Sequence, residues 1–373
     1  MNEDKATRYN RLKRRFAIAS TVWSAALLIV LVATGGAAIL RNVSEHTAAS
    51  VVPAAWIRSA SVVICVALLV VLNELGSLPL GFYGGYLLER RYGLSKQPLG
   101  SWLIDQGKGL AIGLALSVAG GRLLYVFIER SPYTWWLPAA AVFALVIIGL
   151  ANIAPLVLLP LFYTVTPLRK ESLRARLVAL GERAGARVLD AYEWGLGEKT
   201  NKANAALAGI GNSRRILVSD TMLEQYSEDE IEVVLAHELA HHVHGDIWKG
   251  IAFESALILA GFFAAAQLLV MVAPLAGLHG PSDLAGLPVL LLTAGAVSLI
   301  TLPAAHALSR AHERSADRFA LDLTRNPVAF VSAMKRLGAQ NLAEDEPSRI
   351  VQWLFYSHPP IRERIAAAQA FRP

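Results

Sequence analysis

A chain of 373 residues that is 54% hydrophobic and only 17% charged, with a mean hydropathy of +0.44, is too apolar for an ordinary soluble protein of its size and reads as a polytopic membrane protein. Its formal charge of +6 is spread through loops rather than clustered with aromatics, which argues against a nucleic-acid partner and for charges that set membrane topology. The single cysteine, Cys65, lies in an apolar run, so an intrachain disulfide and a cysteine-based zinc site are excluded.

Apolar runs long enough to cross a bilayer as helices occupy residues 16–40, 60–82, 109–128, 135–162, 251–274 and 287–308, giving about six predicted spans. The first run is too long for a signal-peptide core and is read as a retained helix. Lys5, Arg8, Arg11, Lys13, Arg14 and Arg15 precede it, and Arg90, Arg91, Lys96 and Lys108 lie between the second and third spans. These segments are expected to be cytoplasmic. The alternate loops carry only Arg41 and Arg58, then Arg130, then no Lys or Arg in residues 275–286, as the opposite side requires. Both termini are thus placed inside. The stretch 41–59 reads as too short for a further membrane helix.

The domain reading follows: residues 1–163 form a membrane domain of four helices, 164–249 a first cytoplasmic segment, 250–308 two more membrane helices, and 309–373 a second cytoplasmic segment able to meet the first. In residues 164–249, Leu173, Leu177, Leu180 and Ala184 recur at helical spacing, and short strand-like stretches follow at residues 187–194 and 215–218, a small α+β unit. Ser227 with Glu230 three residues on reads as a capping box opening a helix that runs to about His244.

Inside that helix stands His237-Glu238-Leu239-Ala240-His241. At 3.6 residues per turn the two histidines project from one face, one turn apart, so that their imidazoles can share a zinc ion. Glu238 beside them can serve as general base, taking a proton from the attacking water and passing it to the leaving amine. The bland reading is a surface helix with incidental histidines. A catalytic zinc needs a third protein ligand; His244 and Ile247 stand where the metzincin pattern requires Gly and His, so the ligand must come from elsewhere. Glu313 and Asp317 share a helical face just beyond the sixth span, Glu313 as candidate ligand and Asp317 as acceptor from a ligating imidazole. Spacing alone leaves this level with an exposed helix salt-bridged through Arg314 and Arg318. His242, His244 and His312 read as bystanders. His358, followed by Pro359 and Pro360, could be held in one orientation to donate to an oxyanion, with Arg364 six residues on; a simple loop-to-helix junction is the alternative for both. Asn73, Glu74, Arg122 and Glu254 lie within spans and call for a hydrated chamber or for pairing inside the bundle.

With these residues the chain resembles the type I CAAX prenyl proteases and their bacterial relatives in metallopeptidase family forty-eight. The resemblance extends to Glu89-Arg90-Arg91-Tyr92-Gly93-Leu94-Ser95-Lys96-Gln97, to Pro160-Leu161-Phe162 with Thr166-Pro167-Leu168, to Asn204-Ala205-Ala206-Leu207-Ala208-Gly209, and to the run Arg214 to Thr221. It implies a gluzincin on an α-helical membrane bundle: one zinc ion on His237, His241 and Glu313, Glu238 as general base, and Asp317 as a supporting carboxylate or assisting acid. It also implies that His358 and Arg364 face the reacting carbonyl, and that Asn204, Ala205, Ala206, Leu207 and Ala208 hold the peptide as an added strand. The partners would be a membrane-associated, misfolded or CAAX-type peptide substrate and the lipid bilayer. Richness in Ala, Leu and Arg suggests a bacterial plasma membrane, with the site on its cytoplasmic side. Two other classes are weighed: an inactive membrane scaffold or holdase, against which intact Glu238 and Glu313 argue, and a transporter, for which no internal repeat is seen.

Overall fold

The computed structural model describes residues 4–209, 214–274 and 277–372; Leu275 of the charge-free loop and the terminal residues Met1 and Pro373 lie outside the described residues. The chain opens with α1 (Lys5–Ala33), which begins well before the predicted first span and ends sooner. Gly35 takes a left-handed φ of 74°, a conformation glycine adopts freely and other residues rarely do. The chain turns there into α2 (Gly36–Val51), packed on α3 (Ile57–Gly81). One expectation is corrected by this, since the first apolar run is not one helix to residue 40; the stretch 41–59 does carry the end of α2, a 16-residue helix that is not among the segments long and apolar enough to span a bilayer. The reason is local, since the Gly35-Gly36 pair breaks an apolar run that continues past it only as far as Leu40.

From α3 the chain passes through a widened π turn at Phe82–Leu87 into α4 (Leu88–Arg91). The bundle continues with α5 (Leu99–Arg130) and α6 (Trp136–Val157), followed by the short α7 (Leu159–Phe162). Five helical segments among the described residues are long and apolar enough to span a bilayer: Lys5–Ala33, Ala54–Arg91, Leu99–Arg130, Asp246–Val272 and Leu284–Thr324. The remaining predicted span, the fourth in chain order, falls on α6, a helix of 22 residues whose apolar stretch, Trp136–Ala151, is shorter than those five.

A four-stranded sheet then forms at one end of the bundle. Its strands are β1 (Val165–Pro167), β2 (Asp190–Trp194), β3 (Ala205–Ala208) and β4 (Arg215–Ser219), in the order β1-β2-β4-β3. β2 runs parallel to β4, β1 pairs antiparallel with β2 and β3 antiparallel with β4, so that among the described residues the outer edge of β3 has no strand partner. Ile216 and Val218 of β4 alternate into a core shared with Leu173, Leu177 and Leu180 of α8 (Glu171–Arg183). After α9 (Asp220–Gln225) comes α10 (Glu228–Val243), whose capping box is formed as expected, Ser227 accepting from the Glu230 N–H and Glu230 from that of Ser227.

From Glu230 to His237 every residue of α10 is buried, so this helix is a core element enclosed by α8, β3, α12 and α13. Leu235 and Leu239 are fully inaccessible, each contributing roughly 2 kcal/mol by burial. A left-handed Gly245 starts α11 (Asp246–Val272), which packs on α6. The chain returns in α12 (Leu287–Thr324), a continuous helix that leaves the bundle and runs on beside α10. α13 (Pro327–Asn341), α14 (Arg349–Phe355) and α15 (Ile361–Gln369) close the structure over α10 and α12.

Candidate active site and metal centre

Three donors converge where α10 meets α12. His237 Nε2 lies 3.2 Å from Glu313 Oε2, and His241 Nε2 lies 3.4 Å from Glu313 Oε1. One atom from each of the three residues falls within 4.8 Å of the others, and this is the metal-competent group of His, Cys, Asp and Glu found among the described residues. The helical repeat of α10 stacks the imidazoles, while the length of α12 carries Glu313 beyond the bundle to reach them.

The other face of each imidazole is occupied. His237 Nδ1 sits 2.9 Å from Asp317 Oδ1, and His241 Nδ1 sits 3.1 Å from Asp246 Oδ2. Each carboxylate holds the proton on Nδ1 and leaves Nε2 with a lone pair aimed at the common point. Glu313 Oε2 is buried without a hydrogen-bond partner, a costly state unless a cation meets it. Two imidazole nitrogens and a carboxylate oxygen, with supporting carboxylates behind, therefore fit a divalent metal of borderline softness. Burial alone would lower the His237 pKa, but the hydrogen-bonded carboxylates of Asp317 and Glu313 raise it to about 9, so an ion taken at Nε2 would displace a proton.

Glu238 leaves the ligand face and lines a cavity of about 270 Å³ together with His237, Ala203, Asn204, Ala205, Tyr356, His358 and Arg364. Burial raises its carboxyl above the ordinary carboxylate value even though the imidazoles oppose this, a shift toward the neutral range that suits a proton shuttle. His358 stands with its Nε2 3.3 Å from Glu313 Oε1 and remains largely exposed on the cavity side. Arg364 lines the same cavity as Glu238 and His358 and is tied there to Asp317. Its Nε and Nη2 donate to Asp317 at 2.8 and 2.5 Å, and its Nη2 lies 3.3 Å from His237 Nδ1.

The strand Asn204 to Ala208 is divided. Asn204 and Ala205 line the same cavity as Glu238, whereas Ala206, Leu207 and Ala208 line a separate apolar recess with Leu158, Phe162 and Trp194. His242 lies off the ligand face, its pKa pushed down to about 4 by burial and by Arg214. His312 lies 3.7 Å from Asp246 and makes no approach to the common point. Arg314 and Arg318 pair with Glu363 and Asp322, so the salt-bridged face and the ligand Glu313 are opposite sides of one helix. Asn73 and Glu74 line a cavity of about 930 Å³ inside the bundle, while Arg122 pairs with Glu129. Asp246 is the residue that sequence reasoning missed. Its signal was faint: a carboxylate five positions after His241, across a glycine turn rather than on the helical face.

The comparisons with known proteins agree with this arrangement. The family model described as peptidase family M48 matches residues 167–372, and that described as CAAX prenyl protease N-terminal, five membrane helices, matches residues 2–164. The chain is 32% identical over 302 residues to the uncharacterized metalloprotease YhfN of Bacillus subtilis (strain 168), covering 80% of this chain and 71% of that one. It is 28% identical over 260 residues to CAAX prenyl protease 1 of Saccharomyces cerevisiae, covering 67% of this chain and 56% of the yeast protein. The crystal structure of S. mikatae Ste24p matches 98% of this chain and 87% of its own with a TM-score of 0.83 at 23% identity, a likeness of fold. Fold, site and relatives define an integral, multi-pass membrane metalloendopeptidase. The chain belongs to peptidase family M48.

Proposed function

We propose that this protein is a zinc-dependent endopeptidase that hydrolyses peptide bonds of membrane-associated, misfolded or CAAX-type substrates at the cytoplasmic face of a bacterial plasma membrane. The observation that carries the reading is the convergence of His237, His241 and Glu313 beside the half-buried Glu238 at the wall of a substrate-sized cavity. His237, His241 and Glu313 hold the ion. When bound, zinc supplies Lewis acidity, polarising the scissile carbonyl and bringing the pKa of a water toward about 7.

The chain's own residues supply the rest. Glu238 accepts the proton of the attacking water and returns it to the leaving amine. Asp317 and Asp246 fix the tautomers of the two imidazoles. Arg364 holds the Asp317 carboxylate in place through Nε and Nη2 while lining the cavity beside Glu238. His358 at the cavity wall donates to the oxyanion formed at the carbonyl. At the outer edge of β3, Ala205 offers main-chain groups to an extended peptide, and Asn204, whose own N–H and C=O are taken by Ser219, flanks it at the cavity wall.

The test is a purified preparation in detergent assayed for bound zinc and for chelator-sensitive cleavage of an unfolded reporter protein. Glu238→Gln should retain stoichiometric zinc and lose cleavage by at least about a hundredfold, the scale of general-base catalysis. A wild-type chain that binds no zinc would sink the ligand assignment and leave an inactive scaffold as the better reading.

A further inference from the structure

The start of α1 offers Tyr9, Asn10, Lys13 and Arg14 at a spacing that puts them on one helical face. That face touches the supports of both rims of the catalytic cavity. On the β3 rim, Tyr9 donates to Glu89 Oε1 at 2.6 Å, and Glu89 Oε2 lies 2.9 Å from Lys202 Nζ, two residues before Asn204. On the opposite rim, Asn10 Nδ2 donates to the Leu342 carbonyl at 2.7 Å. Arg14 Nη1 donates to Glu344 Oε2 at 2.5 Å and to Tyr356 Oη at 2.9 Å.

Tyr356 is held from three directions. Its hydroxyl donates to Glu344 Oε2 at 2.7 Å while accepting from Arg14, and its carbonyl accepts from Arg310 at 2.6 Å. Burial and the Glu344 carboxylate push the phenol well above its usual range, so it remains a donor throughout. Arg310 stands one turn before Glu313 on α12, which ties the Tyr356 backbone to the helix that carries Glu313. Glu344 and Tyr356 line the same cavity as Glu238 and His358.

Buried ion pairs add little net stability compared with well-packed apolar groups, but they fix geometry. Glu344 is 8% exposed and is spent on a pair that reaches from the first membrane helix to the cavity wall. His358 follows Tyr356 by two residues, and Pro359 and Pro360 restrict the backbone immediately beyond. Only Ser357 separates Tyr356 from His358, so a displacement of Tyr356 moves the backbone that carries the His358 imidazole. We propose that Arg14, Glu344 and Tyr356 form a latch that positions His358 at the catalytic cavity, making the end of the first membrane helix a part of the active-site geometry. Arg14, Glu344 and Tyr356 are positioning residues in this assignment, which rests on the peptidase reading and names further parts of the same site.

The test is a mutant cycle on the purified full-length protein, with quenched fluorescent β-casein as the probe. Tyr356→Phe and Glu344→Gln are each made alone and combined with His358→Ala, and kcat, KM, bound zinc and Tm are measured for all. Each single variant is expected to lower kcat about tenfold, the loss that a displacement under an ångström brings, with KM and zinc content within about twofold of the parent. In the His358→Ala background the same substitutions should cost nothing further, because they act only through that imidazole. An unchanged kcat, or a loss that persists in full without His358, overturns the latch. If Glu344→Gln does not purify folded, Tyr356→Phe completes the cycle alone. Cleavage that survives Glu238→Gln overturns the peptidase reading and the latch with it.

Discussion

Asp246 and Asp317 hold equivalent atoms of the two imidazoles, yet only one of them was visible in the sequence. Asp317 sits four residues after Glu313 on a single helix, where the 3.6-residue repeat places it. Asp246 lies beyond the left-handed Gly245, and a helical period cannot be extrapolated through such a turn. Its contacts with His241 and with Lys249 at 3.1 and 2.9 Å make it the anchor of the second imidazole. Removing such a partner typically weakens metal affinity about ten- to a hundredfold. Asp246→Ala should therefore weaken zinc binding by that factor in a competition titration, with the helix content by circular dichroism unchanged. Asp317→Ala should do at least as much, because Arg364 would be left buried without its carboxylate. Equal zinc affinity in wild type and Asp246→Ala would show that His241 needs no such anchor.

At the scale of elements, the cap at the head of α10 has a second use. Glu230 closes the capping box through Oε2, while Oε1 accepts from Ser332 at 2.5 Å and Arg336 at 3.0 Å on α13. Burial alone would raise the carboxyl, but these donors bring it below its ordinary value of 4.5. A depressed folded-state pKa means that the ionised form stabilises the fold, fully above about pH 4.5 and progressively less as pH falls through the folded value. Glu230→Gln should lower stability by about 2 kcal/mol at pH 7, the scale of a charged hydrogen-bond network. The difference between variant and parent in thermal unfolding should shrink below pH 4.5; a difference constant with pH would assign the effect to packing. The capping box was legible because its signature is local. α2 was not, since its first turn continues the apolar run of α1 and only the Gly35-Gly36 pair marks the break. β1 escaped for a related reason: three residues are too few for a period of two to register, and pairing with β2 alone defines it.

For the whole molecule the site depends on a connection that no single motif records. α10 and α11 meet at Gly245, and α12 runs unbroken from the bundle to Glu313 and Asp317, so the metal centre is built where membrane helices emerge. This places the catalytic cavity, the 93–97 loop and the start of α1 at one end, since Asn201 donates to Gly93 and Leu94 while α1 reaches Glu89 and Glu344. The loop 277–286 and the α2 connection lie together elsewhere, joined by Arg41 to Asp283 at 2.7 Å. On the proposed orientation, which rests on the charge pattern, the first group would face the cytoplasm and the second the opposite side. Cys65 is 2% exposed and should stay silent toward a membrane-impermeant maleimide, so the native chain serves as its own background. Lys96→Cys should label only after the membrane is permeabilised, whereas Ser50→Cys, on the exposed end of α2, should label in intact cells. The reverse pattern would place the protease unit outside and remove cytoplasmic proteins from its possible substrates; labelling of both without permeabilisation would break the link between charge asymmetry and orientation on which the assignment rests.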